Sequence, residues 1–78
     1  MPRYFFHIYD SDEVIDTVGT ELAHFDLVRR TATRTAAEIL RDDERLWNGQ
    51  PWRMRVMDEA GAVVLRLEFR ASVDAGAS

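Results

Sequence analysis

Hydrophobic and polar residues change period twice along this chain, from two to between three and four, then back to two. Over 3–9, Tyr4, Phe6 and Ile8 alternate with Phe5, His7 and Tyr9, a strand with aromatic residues on both faces. Asp10-Ser11-Asp12-Glu13 reads as a polar turn and Val14-Ile15 as a short second strand, so 3–17 forms a hairpin. Gly19 then breaks the extended run. From 25 to 46, Phe25, Val28, Ala32, Ala36, Ile39 and Leu40 recur at spacings of three and four and predict an amphipathic helix. Asp26 either caps this helix or sits in its first turn, facing the positive dipole end. Asn48-Gly49 stops the helix and Pro51 confirms the stop.

The period returns to two in a second hairpin. Trp52, Met54 and Val56 alternate with Arg53, Arg55 and Met57. Asp58-Glu59-Ala60-Gly61 has the composition of a tight turn with glycine in the left-handed position. Val63, Leu65, Leu67 and Phe69 then alternate with Val64, Arg66, Glu68 and Arg70. The expected fold class is α+β: a small antiparallel-rich four-stranded sheet with one helix packed on one face, in the order ββαββ. The expected core is Tyr4, Phe6, Ile8, Val28, Ala32, Ala36, Ile39, Leu40, Trp52, Met54, Val56, Leu65, Leu67 and Phe69. A single domain over 1–73 is expected, with 74–78 a frayed tail.

Composition narrows the possibilities. A 78-residue domain buries only about 60% of its unfolded surface, and this chain has no cysteine to staple it. Self-association is the usual remedy, so a homodimer is expected. The net charge of −4 argues against a general polyanion binder. All ten basic residues are arginine, the side chain better suited to bidentate and stacked contacts. The aromatic start is unlike a signal peptide, and no run approaches the roughly 20 apolar residues of a membrane span. The expectation is a cytoplasmic protein with no membrane contact.

The arginines and aromatics converge on one surface. With the first strand central, Phe5, His7 and Tyr9 share the face away from the helix with Arg53, Arg55, Arg66 and Arg70. Such a face serves protein–protein contact, remains an ordinary solvated surface, or stacks bases and holds phosphates. Protein contact is the favoured reading and nucleic acid the alternative. On the helix, Arg29, Arg30, Arg34, Arg41 and Arg45 are interrupted by Glu38, Asp42, Asp43 and Glu44, which reads as a solvated, salt-laced face.

No catalytic or metal constellation is expected. Asp10, Asp12 and Glu13 are acidic and Glu21 stands twelfth from Asp10, but no glycine holds the loop centre and Val14 occupies a ligand position. His7 and His24 lack companion zinc ligands. A His7–Glu68 acid–base pair is conceivable, but a histidine on a half-exposed strand is the simpler reading. The serines, Ser11, Ser72 and Ser78, sit in no nucleophile motif. The chain is therefore not expected to be an enzyme, nor to carry a cofactor.

The MPRYFFH opening, the acidic turn after it, the Gly19-Thr20-Glu21-Leu22 step and the closing Asp58-Glu59-Ala60-Gly61 hairpin resemble a family of short, uncharacterised bacterial proteins. That family is a domain of unknown function common in rhizobia and their relatives. The likeness covers Met1 to about Val73. It departs at His24, where an acidic residue is usual, and at Val28, where alanine is favoured. It implies no activity. A weaker, fold-level likeness to HicB-type antitoxins implies a regulator, but their separate DNA-binding segment has no counterpart here. The combined expectation is a cytoplasmic interaction module. It self-associates through the aromatic and arginine face or an edge strand; an antitoxin-like nucleic-acid accessory is the alternative.

Overall fold

The computed structural model describes residues 2–9, 13–42, 51–70, 72 and 74–76. The element order is β1 (Arg3–Tyr9), β2 (Glu13–Val14), β3 (Thr20–Glu21), α1 (Phe25–Asp42), β4 (Trp52–Met57) and β5 (Val63–Phe69). The turn at 10–12, the helix continuation over 43–46, the Asn48-Gly49 stop and much of the tail lie outside the described residues.

The sheet is antiparallel throughout, ordered β2-β1-β4-β5, with β3 also paired to β1. Among the described residues it thus holds five strands instead of the expected four. Thr20-Glu21, which reads as a step before the helix, pairs with Tyr4 and Arg3. Two residues give too short a run for alternation to reveal a strand. β2 and β3 follow one another along the side of β1 that β4 leaves free. Among the described residues β1 and β4 are the inner strands and β5 is an edge.

The helix lies over β4. Val28, Ala32 and Ala36 face it, and the two alanines let the backbones approach closely. Val28, Ala32, Ala36, Trp52, Met54 and Val56 are buried, with Tyr4, Phe6, Ile8, Leu22, Ile39, Leu40, Val64, Leu65 and Leu67 packed around them. Phe25 is 46% exposed, so the helix buries its face only from Val28 onward. Asp26 sits in the first turn and pairs with Arg29 at 3.6 Å, while the His24 carbonyl accepts the Leu27 N–H.

One expected core position and one expected outer position are corrected. Phe69 is 42% exposed, because it ends an edge strand with Trp52 as its only cross-strand neighbour among the described residues. Val64, expected on the outer face, packs against the core, whereas Val63 pairs with the outward Met57. The cause is a β-bulge. Val56 faces Leu65 and Met57 faces Val63, so Val64 is the extra residue and alternation shifts by one there.

Candidate interaction surface

The bulge and the strand register together build the sheet face that α1 leaves bare. Three cross-strand rows cross it from β1 through β4 to β5. The first is Phe5, Met57 and Val63; the second is His7, Arg55 and Arg66; the third is Tyr9, Arg53 and Glu68. All three members of the first row are half-buried, so the face carries an apolar band beside a basic one. Neither Met57 nor Val63 belongs to the residues expected here, because alternation alone assigns Val63 to the core side.

Side-chain contacts hold the rows in place. The Phe5 and His7 rings stack with centroids 6.5 Å apart and planes 7° from parallel. The Arg55 guanidinium carbon lies 4.9 Å from the Tyr9 ring centroid, a cation–π arrangement that shields part of that ring. Arg53 Nε donates to Glu68 at 3.1 Å, and Arg70 donates to the same carboxylate. Arg70 and Arg53 hold the Glu68 carboxyl below its ordinary value. Arg55 and Arg66 face each other with no carboxylate partner among the described residues, a like-charge pair that favours an anion nearby.

The opposite end of the face is acidic. Arg3 Nη2 pairs with Glu21 at 2.9 Å, and the Arg3 backbone N–H donates to Glu59 at 2.7 Å. The expected interaction residues therefore separate into groups. Phe5, His7, Tyr9, Arg53, Arg55 and Arg66 share one face, while Arg70 lies just beyond the end of β5 and is tied to Glu68.

His7 does not meet Glu68. Its Nδ1 accepts the Asp16 backbone N–H at 3.1 Å, so a neutral ring carries its proton on Nε2. Asp16 is a residue that sequence reasoning missed. Its Oδ2 accepts the Phe6 N–H at 3.1 Å, and its Oδ1 accepts the Val18 and Gly19 N–H groups at 3.0 and 2.9 Å. The carboxylate thus fills the interval between β2 and β3, where β1 has no strand beside it. Burial opposes its charge, but the backbone bonds from Gly19, Phe6 and Val18, helped by His7, outweigh that and lower its carboxyl pKa. Gly19 completes the loop with φ of 76°.

No group of three or more potential metal ligands is present among the described residues. No helix of the described residues is long and apolar enough to cross a membrane. Comparison with curated proteins and with solved structures finds no match. A family profile does match residues 3–70, which is most of the chain. The chain therefore belongs to the family described as Domain of unknown function (DUF6894).

Proposed function

We propose that this chain is a protein-interaction module that pairs with a second copy through the bare face of its sheet. The observation that carries the reading is the row Phe5–Met57–Val63, an apolar band with a basic row on one side and an acidic end on the other. Consider a two-fold axis lying along that band, between two facing sheets. It reverses the strand direction, so the basic row of one copy faces the acidic end of the other. Arg55 and Arg66 then approach Glu59 of the second copy, which sits at the β4–β5 end of the face. The two basic rows sit about 14 Å apart along the strands, taking roughly 3.4 Å per residue. At that distance their mutual repulsion is weaker than the attraction each gains from the nearer Glu59. A core of six buried side chains among the described residues, in a chain without cysteine, gives association a stabilising role.

The test is the mass in solution. The parent chain should sediment at twice its 9.0 kDa mass, and Met57→Arg should sediment as a single chain with unchanged circular dichroism. A Met57→Arg protein that keeps the doubled mass removes the reading. On this reading the chain binds and does not catalyse, and it works in the cytoplasm.

The Arg55–Arg66 pair favours a second reading, single-stranded nucleic acid held by those arginines with a base on Tyr9. Its mark is binding to a labelled oligonucleotide that weakens steeply with salt. Absence of binding at low salt eliminates it.

A further inference from the structure

A different surface, on the helix side of the molecule, carries an inference independent of the self-association reading. Because α1 sits over β4, it leaves a groove of about 670 Å³ between itself and β5. Arg29, Arg30 and Arg34 form its wall, and Leu65 and Leu67 lie on its β5 side. Asp26 engages Arg29, whereas Arg30 and Arg34 have no ion-pair partner among the described residues, Glu38 included. A second, apolar groove continues the first, lined by Ala36, Ala37 and Leu40 of α1 and by Leu67 and Phe69 of β5. The sequence numbers rise together along both elements, so the helix and the edge strand run side by side in the same direction.

We propose that this groove takes an extended acidic segment of another protein, added as a further strand to the edge of β5, which pairs with no other strand than β4 among the described residues. Three observations agree. β5 is a seven-residue edge strand, and such an edge presents main-chain donors and acceptors that an added strand can use. The neighbouring wall is positive, in a molecule whose net charge is −4. The spacings match as well. Arg30 and Arg34 are separated by four helical residues, roughly 6 Å of rise. Alternate residues of a strand repeat at roughly 6.8 Å. A segment with carboxylates at every second position therefore presents one to each arginine and turns its other side chains the opposite way.

A second copy of this chain fits the groove less well. Antiparallel pairing of two β5 edges puts both helices on the same side of the joined sheet, so the Arg29, Arg30 and Arg34 walls face one another. Nucleic acid fits less well too, because the arginine-walled part of the groove offers leucines and no aromatic ring on which a base can stack beside the cations.

The experiment titrates the isotope-labelled full chain with three capped eight-residue peptides, in which glutamate, glutamine or lysine alternates with valine. It follows backbone amide shifts by NMR. The glutamate peptide should move amides over 63–69 and 29–37 and bind at least tenfold tighter than the glutamine peptide. The lysine peptide should not bind. Methylating alternate backbone nitrogens of the glutamate peptide should abolish its binding. Arg30→Gln with Arg34→Gln, both on the exposed helix surface, should weaken binding at least tenfold while leaving the fold and solution mass unchanged. The proposal is overturned if the glutamate and glutamine peptides bind equally. It is overturned equally by shifts that map to Phe5, Met57 and Val63, or by no binding at millimolar peptide. Groove shifts produced by an oligothymidine, and not by the glutamate peptide, assign the surface to nucleic acid instead. Repeating the titration on Met57→Arg separates this proposal from self-association, because that variant keeps the groove whatever its mass.

Discussion

Removing the Asp16 carboxylate tests how the chain closes one side of its first strand. In Asp16→Ala three backbone donors lose their acceptor: the half-buried Phe6 and Gly19 N–H groups and the exposed Val18 N–H. A half-buried donor without a partner costs about 1–2 kcal/mol, the lower part of the range for a buried one, and the Val18 N–H recovers a water at little cost. The expected destabilisation is about 2–4 kcal/mol. A domain of this size holds roughly 4–12 kcal/mol in total, so the loss is a large fraction. With a urea slope of about 1 kcal/mol/M, the unfolding midpoint should fall by about 2–4 M. Asp16→Asn keeps an oxygen for Val18 and Gly19 but turns a donor toward Phe6, and should cost about half as much. The carboxyl is lowered in the folded chain from its ordinary 3.8, so its contribution is present above pH 3.8 and lost as pH falls through the folded value. The parent should therefore lose more stability than Asp16→Asn between pH 5 and pH 2. An Asp16→Ala midpoint within about 0.3 M of the parent refutes the reasoning.

Three other substitutions separate causes that the same assay can resolve. Gly19 and Gly61 both have positive φ, 76° and 84°, but an added Cβ meets Arg3 Cγ at 2.8 Å and Phe5 Cε1 at 2.9 Å only at Gly19. Gly61→Ala should cost about 1 kcal/mol from the backbone alone, and Gly19→Ala at least about 1 kcal/mol more; equal costs contradict the close approach. The buried Trp52 Nε1 has no hydrogen-bond partner among the described residues, so Trp52→Phe should cost less than about 1.5 kcal/mol, against about 3–5 kcal/mol for Trp52→Ala. A Phe variant as unstable as the Ala variant shows that the indole N–H is satisfied in solution. Glu68→Gln should leave the urea midpoint unchanged, because its arginine pairs are exposed and screened by solvent. By NMR titration, Arg70→Gln should raise the Glu68 carboxyl toward its ordinary 4.5.

Regular periodicity made most of the fold legible. Trp52, Met54 and Val56 are buried on alternate positions, and Val28, Ala32 and Ala36 lie on one helical face, as their spacing demands. Gly61 takes the left-handed position that the Asp58-Glu59-Ala60-Gly61 turn requires, closed by Asp58 accepting the Gly61 N–H at 3.1 Å. What escaped were features that interrupt a period. The bulge at Val64 moves Val63 to the outer face, and a bulge leaves no mark in a run of valines and leucines. Asp16 acts through backbone groups of residues ten positions earlier and three later, a pattern that composition does not encode. The basic helical face was legible as charge. Its neighbour was not, because which strand runs beside Arg30 and Arg34 depends on the strand order, and the helix connection permits more than one.

Sedimentation equilibrium of four proteins tests the central claim most directly: the parent, Glu59→Arg, Arg66→Glu, and the double variant carrying both changes. If the basic row of one copy faces the acidic end of another, the parent associates, each single change weakens association at least tenfold, and the double change restores it. Single-chain mass for the parent at high micromolar concentration contradicts the account, and so does a double variant no stronger than either single one.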